Sequence, residues 1–151
     1  MRRVSKKRVA RNAECKPVRD RLKREIQHCE ICGHDPKRVD PAGVRWAMHC
    51  HEIARGTHRG KALDRRFALL VVCWYCHEYK LSSLAEWPQS RQLAALKRSR
   101  PGDYDLPAFL RLKNPNAPAA ITQEEVDGWT ECYSTSTAPI RLTGSSTRRG
   151  Q

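Results

Sequence analysis

Two short stretches decide how this chain folds: Cys29-Glu30-Ile31-Cys32 and Cys73-Trp74-Tyr75-Cys76-His77. In each stretch two cysteines are separated by two residues, so together the stretches offer four sulfur ligands. Structural zinc is tetrahedral and takes four ligands, and two such knuckles supply that number. We therefore predict one structural zinc ion bound by all four cysteines of the knuckles: Cys29, Cys32, Cys73 and Cys76.

The cellular compartment bears on this prediction, because cysteines pair as disulfides outside the cytoplasm. No apolar run reaches the roughly 20 residues that a membrane span needs. The basic N-terminus is not followed by the apolar segment of a secretory signal. We expect a cytoplasmic protein with reduced cysteines and no membrane partner. Cys15, Cys50 and Cys132 lie outside the knuckles and are expected to be ordinary thiols.

The charge of the chain is strongly positive. It has 29 Lys and Arg against 16 Asp and Glu, a net charge of +13 over 151 residues. Such an excess favours a polyanionic partner, with nucleic acid first and an anionic membrane surface second. The alternative is a protein whose basic tails are merely solvated.

The N-terminal half is organised around the knuckles. Residues 1–14 are basic and poor in large apolar side chains, which predicts a flexible arm for nucleic-acid contacts. Apolar residues recur every fourth position over 16–27, the pattern of an amphipathic helix. Residues 44–53 are a candidate strand, and 67–72 form an apolar, β-prone run typical of a buried strand. A loop is expected over 55–60.

The C-terminal half is predicted to be helical. Helices are expected over 78–84, over 88–98 with Leu93 and Leu96 inward, and over 106–112. The capping box Thr122-Gln123-Glu124-Glu125 opens a last helix to about Trp129. The predicted organisation is an arm (1–14), a metal-binding module (15–85), a helical extension (86–133) and a disordered tail (134–151).

Three histidines lie where they could form a second site. His49 and His51 close the first predicted strand, and strand alternation places both on one face. His77 follows the last knuckle cysteine and should open a helix. A hairpin followed by a helix would bring His51 and His77 together beside the zinc, which would leave the histidines free for an open metal site.

This arrangement resembles the zinc-bearing HNH endonucleases, and most closely the small HNH-like proteins of phages and prophages. The resemblance covers about residues 28–80. The order of motifs carries it: a CxxC knuckle, a strand ending in His with a following Ile, a spacer with Gly and Arg, an apolar strand, and CxxCH. The matching residues are Cys29 to Cys32, His49-Cys50-His51-Glu52-Ile53, Gly56, Arg59, Leu69 to Cys73, and Cys76-His77.

The resemblance implies an α+β fold in which a ββα-metal (HNH) module is stapled by the zinc and carries flanking helices. His77 matches a ligand of the catalytic ion, Mg²⁺ or another divalent metal. Alignment on Ile53 makes His51 the second ligand and Glu52 the general base. Alignment of His51 as the base makes Cys50 or His49 the ligand instead. The family's Asn that braces the base falls near Ala68, which has no side chain for that role.

The function implied is endonucleolytic, metal-dependent hydrolysis of nucleic acid, with DNA as the expected substrate in a bacterial host cell. Arg59 is a candidate phosphate clamp because its planar fork suits phosphate oxygens, and Arg55 and Lys61 are its expected companions. Trp74 and Tyr75 are expected to pack around the zinc rather than to stack on bases. The alternatives are a non-catalytic, zinc-dependent nucleic-acid-binding module and a zinc scaffold for a protein partner.

Overall fold

The computed structural model describes residues 6–39, 43–83, 85–113 and 121–134. Helices surround one small sheet, which agrees with the predicted α+β class. None of the helices in these ranges has the length and apolar character to cross a membrane. The elements in chain order are α1 (Lys6–Glu25), β1 (Met48–Glu52), α2 (Arg59–Ala62), β2 (Leu69–Cys73), a π-helical turn (Cys76–Lys80), α3 (Gln89–Ser99), α4 (Leu106–Lys113) and α5 (Gln123–Ser134).

The sheet is an antiparallel pair in which Met48 lies opposite Cys73 and Glu52 opposite Leu69. All five residues of β2 are buried, as a continuous apolar run requires when both sheet faces are covered. The side of the sheet that carries Cys50 packs against Leu22 of α1, and the other side joins the main core. β2 begins two residues later than predicted because residues 66–68 form a 3₁₀ turn. β1 begins at Met48 rather than at residue 44 because its partner strand ends at Cys73, opposite Met48.

Helix α1 begins at Lys6, ten residues before the predicted start. The prediction of a flexible arm is therefore wrong for residues 6–14, while 1–5 lie outside the described residues. No Gly or Pro interrupts residues 6–16, and Lys, Arg, Ala and Glu in this segment favour helix. Arg11 also anchors the helix, through an ion pair of 3.1 Å with Asp64.

The first knuckle is fixed to the sheet through Glu30. Its backbone N–H donates to Val71 O (2.9 Å), and its carboxylate accepts from Val71 N (2.5 Å). Arg100, at the end of α3, donates from Nε to Glu30 Oε1 at 2.8 Å, and both side chains are buried. An ion pair between the knuckle and the helical extension thus fixes the knuckle from two directions.

The helical extension shares its core with the metal-binding module. Leu93 and Leu96 are fully buried as predicted, in the cluster that also contains Cys73, Cys76 and Phe109. The two predicted segments 15–85 and 86–133 therefore pack as one unit. The capping box is confirmed, since Thr122 N donates to Glu125 Oε2 (2.9 Å) and Glu125 N to Thr122 Oγ1 (3.2 Å). The predicted tail lies outside the described residues apart from Ser134, which ends α5.

Two local predictions need correction. The expected loop over 55–60 contains a 3₁₀ turn (Gly56–His58) and the start of α2. The expected helix over 78–84 instead begins at Trp74 and widens into the π turn, where Leu81 N donates to Cys76 O at 2.9 Å. A π turn is closed by a hydrogen bond between residues five positions apart. This turn contains both the knuckle cysteine Cys76 and His77.

Candidate functional site

The four knuckle cysteines come together as predicted. Their sulfur atoms all lie within 4.8 Å of one another, and Cys32 Sγ is 3.8 Å from Cys73 Sγ. A tetrahedron with Zn–S bonds of about 2.3 Å has edges of about 3.8 Å. The donor set and its spacing therefore fit a metal ion such as structural zinc, and three of the four cysteines are buried.

Local chain geometry explains how the first knuckle closes. Gly33 adopts a positive φ of 74°, which a residue without Cβ tolerates. This lets Gly33 N donate to Cys29 O at 2.8 Å. Hydrogen bonds among the four thiols lower the pKa of Cys29 and raise that of Cys76. Four crowded thiols cannot all ionise without repulsion, and a divalent cation bound between them would stabilise the thiolates.

Next to the cysteines, three histidine rings form a second cluster, the histidine cluster: His49, His51 and His77. The ring of His77 stacks on that of His49 at 5.2 Å between centroids and meets that of His51 edge-on at 5.5 Å. Alternation along β1 sets His49 and His51 on one side of the strand, as the sequence indicated. His77 follows Cys76 directly, so the cysteine site fixes the position of this third ring.

Two rings of this cluster have one nitrogen already occupied by a hydrogen bond. His51 Nε2 donates to Gln92 Oε1 at 3.1 Å, and Gln92 is held in turn by donation from its Nε2 to Trp87 O at 2.8 Å. His77 Nδ1 lies 2.7 Å from Glu78 Oε1. Metal-binding histidines have this arrangement, in which an oxygen acceptor orients the ring and leaves the other nitrogen for the ion.

The electrostatics favour neutral rings at His49 and His51. Burial, reinforced by the neighbouring His77, lowers the pKa of His51 to about 4. Burial and His77 also lower the pKa of His49. Neutral imidazole is the form that binds a metal or accepts a proton. Within the described ranges, however, the four cysteines are the one group of three or more potential ligands drawn within 4.8 Å, so the histidine nitrogens are more widely spaced.

Glu52, predicted as the general base, lies away from the histidine cluster. It alternates to the opposite side of β1, where its Oε1 pairs with Arg19 (3.1 Å) and its Oε2 with Arg59 (2.8 Å). Its carboxylate is almost entirely buried between these two arginines. The alignment that makes Glu52 the base is therefore not supported by the geometry.

Cys50, the other candidate from that alignment, also alternates away from the histidines. Its thiol contacts Arg19 O at 3.5 Å, and burial raises the pKa of the thiol. Ala68 lies in the 3₁₀ turn before β2, where its carbonyl accepts from Ile53 N at 3.0 Å. Gln92 of α3, rather than a residue near Ala68, supplies the amide that contacts a cluster histidine.

The three residues predicted to contact nucleic acid have surroundings that differ from those expected. Arg55 Nη2 donates to Leu81 O at 2.8 Å and so braces the π turn. Arg59 is paired with Glu52 but keeps about half of its side chain exposed. Lys61 is exposed on α2. Within the part of the chain that the structure describes, none of these three residues forms a hydrogen bond or a ring contact with a histidine of the cluster.

A basic groove connects α1 with the histidine cluster. It encloses about 320 Å³ between the helix and β1. Cationic side chains from one helix and from Arg59 face two of the three histidines across it. The basic and histidine residues that line this groove are Lys16, Arg19, Lys23, Arg59, His49 and His77. The acidic Asp20 lines it as well and pairs with Lys16 and Lys23.

Sequence reasoning missed Gln92 and Arg19 as parts of the site. Gln92 lies 41 positions after His51, and a glutamine in an amphipathic helix carries no signal of its own. Arg19 falls outside the apolar positions of the helix predicted over 16–27, where a charged residue is expected and carries no signal of its own. No family model, curated protein or solved structure matches the chain. The function is therefore inferred from the chemistry of these residues.

Proposed function

We propose that this chain is a metal-dependent endonuclease of the HNH type that hydrolyses phosphodiester bonds in nucleic acid, with DNA as the expected substrate. The observation that carries the proposal is the histidine cluster at one wall of the basic groove. The centroid of the His77 ring lies 5.2 Å from that of His49 and 5.5 Å from that of His51. A zinc knuckle that served only as a scaffold would not need this second cluster.

His51 and His77 are the proposed ligands of the catalytic ion. Each has one ring nitrogen oriented by an oxygen acceptor, Gln92 Oε1 and Glu78 Oε1 respectively, which leaves His51 Nδ1 and His77 Nε2 for coordination. Imidazole ligands suit nickel or zinc better than magnesium, which prefers oxygen. A bound divalent ion would polarise the phosphate and stabilise charge on the leaving oxygen.

His49 is the proposed general base in place of Glu52. It lines the groove, and its Nε2 is buried with no hydrogen-bond partner among the described residues. A water molecule would give its proton to His49 as its oxygen bonds to phosphorus. The bond from phosphorus to the leaving oxygen then breaks, that oxygen takes a proton from solvent, and the products are a phosphate end and a hydroxyl end.

The groove supplies the binding energy for the substrate backbone. Lys16 and Lys23 of α1 and the exposed part of Arg59 line it together with His49 and His77. Cations along one wall would hold successive phosphates, and the charge of +13 would draw polyanions toward them. Helix α1 thus takes the role that was expected of a flexible arm.

A second candidate is a non-catalytic, zinc-dependent nucleic-acid-binding module. Ala68 stands where the HNH pattern has an Asn, and the histidine nitrogens are not drawn as close together as the cysteine sulfurs. Both observations favour binding without cleavage. The presence of the Gln92 amide on His51 favours the catalytic proposal.

The deciding experiment incubates the zinc-loaded protein with supercoiled plasmid, single-stranded DNA and RNA in magnesium, manganese or nickel. We expect cleavage that His49→Ala, His51→Ala and His77→Ala each reduce by orders of magnitude. The exposed His28→Ala is the matched control and should cleave like wild type. Glu52→Gln breaks the pairs with Arg19 and Arg59, so its stability and substrate affinity are measured in parallel. In the folded, substrate-saturated variant most of the cleavage rate should remain, since Glu52 lies away from the cluster. A wild type that is inert on all substrates with all three ions would overturn the enzymatic proposal.

A further inference from the structure

An exposed aromatic surface lies on the second knuckle. We call Trp46, Trp74, Tyr75 and Tyr79 the aromatic patch. Trp74, Tyr75 and Tyr79 remain 43%, 42% and 59% exposed. Trp74 and Tyr75 were expected to pack around the zinc, and rings used only for that purpose would be buried. Their exposure indicates a surface that is available to a ligand.

The rings of the patch support one another. Trp46 stacks on Tyr75 at 5.4 Å with an interplanar angle of 16°. Tyr75 meets Tyr79 at 5.1 Å, and Trp74 meets Tyr79 edge-on at 5.6 Å. Trp74 N also donates to Ala47 O at 3.0 Å, which ties the knuckle to the segment that carries Trp46. Rings held in this way lose little conformational entropy when a further ring stacks on them.

Three rings of the patch lie in or next to the turn that carries His77 of the histidine cluster. Trp74 and Tyr75 lie between the ligands Cys73 and Cys76, and Tyr79 lies two residues after His77 in the π turn. The metal site that orders the knuckle therefore also orders the rings. A strand whose phosphate reached His77 would have its neighbouring bases near these aromatic faces.

We propose that the aromatic patch binds unpaired nucleobases by stacking, beside the histidine cluster; this inference rests on the proposed nuclease function. Aromatic rings combined with a basic groove are the usual means of holding single strands without sequence preference. Arg45 and Lys80 flank the patch in sequence, and they suit a polyanion better than an apolar protein surface. Paired bases inside a duplex cannot offer their faces, so the chain favours single-stranded or locally unpaired nucleic acid.

The test measures binding of a labelled oligothymidylate and of a labelled duplex to the full, zinc-loaded chain by fluorescence anisotropy at low salt. Trp74→Ala and Tyr79→Ala should each weaken single-strand binding about tenfold and leave duplex binding within about twofold. Trp74→Phe and Tyr79→Phe keep a ring face and should restore most of the affinity. Val39→Ala removes an equally exposed apolar side chain outside the patch and should change neither.

Several outcomes would overturn the inference. Alanine variants that bind the single strand like wild type would exclude stacking, and so would equal losses for single strand and duplex. A change in self-association without a change in single-strand affinity would assign the patch to a protein interface instead. A wild type that binds neither probe would reject the proposed function as well. If the alanine variants cleave duplex DNA and bind the single strand as wild type does, the stacking inference is rejected and the proposed nuclease function is not. Zinc content and circular dichroism would verify that each variant is folded.

Discussion

His51 Nε2 donates a hydrogen bond to Gln92 Oε1 at 3.1 Å, across 41 residues of sequence. The orientation of the glutamine amide is fixed because its nitrogen donates to Trp87 O. His51 therefore carries its proton on Nε2, and Nδ1 has the lone pair. A residue of the helical extension thus sets the tautomer of a ring in the candidate metal site.

Gln92→Ala should release this ring. We expect a loss of about 10- to 100-fold in catalytic-ion affinity or in cleavage rate, the usual cost of removing a partner that orients a metal-binding histidine. Zinc content should be unchanged. Gln89→Ala, one turn earlier on α3, removes a glutamine that donates to Ile53 O and is the control. Nitrogen-15 NMR of the histidine rings should report a change of tautomer at His51 in Gln92→Ala alone, and an unchanged His51 signal would contradict this role.

The cysteine site should contribute folding energy directly. Cys73→Ser should lower the bound zinc well below one equivalent and broaden or abolish cooperative unfolding, because the unfolded chain has no preformed site. Cys50→Ser is the matched control, since its thiol contacts Arg19 O outside the site and a hydroxyl can replace it. Elemental analysis and thermal unfolding measure both effects. Full zinc occupancy in Cys73→Ser would contradict the four-sulfur site.

The buried pair of Glu30 and Arg100 should be essential for stability. Glu30→Gln removes one of the two carboxylates that pair with the buried Arg100 guanidinium, and Asp103, 2.7 Å away, remains as the other. We therefore expect a loss in free energy of unfolding at the lower end of the about 3–5 kcal/mol that breaking a buried pair costs. Denaturant titration measures this loss. Asp20→Asn, which breaks exposed contacts with Lys16 and Lys23, should leave the midpoint almost unchanged. Equal midpoints for Glu30→Gln and wild type would show that the knuckle is not held through this pair.

Binding to nucleic acid should depend steeply on salt, because each neutralised phosphate releases counterions. Removing Lys16 and Lys23 together as glutamines should reduce the slope of log affinity against log salt by about two. Arg111→Gln, an exposed charge on α4 outside the groove, is the control. Anisotropy titrations across a salt series provide the slopes. A double variant with the wild-type slope would remove α1 from the interface.

The sequence was sufficient to predict those parts of the structure that follow from a strong local sequence pattern. The paired knuckles, the apolar run of β2 and the capping box at Thr122 each carry a pattern that few other structures satisfy. Strand alternation was also sufficient to place His49 and His51 on one side. The α1 start was missed because residues 6–14 lack an apolar stripe, although their helix propensity is high and Arg11 finds a partner in Asp64.

The parts that could not be predicted depend on contacts between distant residues. Whether Glu52 faces the histidines or two arginines is decided by the strand register and by the position of α1. The bond between Gln92 and His51 depends on how α3 packs against the sheet. The exposure of Trp74 and Tyr75 depends on which surfaces the helical extension leaves uncovered.

The most direct test of the central claim is a count of divalent ions in the zinc-loaded protein. Isothermal titration with Mn²⁺ should find one additional site per chain in wild type. His77→Ala should lose that site and keep its zinc, because His77 lies beside the four-sulfur set without belonging to it. Absence of a second site in wild type, or an unchanged second site in His77→Ala, would contradict the assignment of the histidine cluster as the catalytic metal centre.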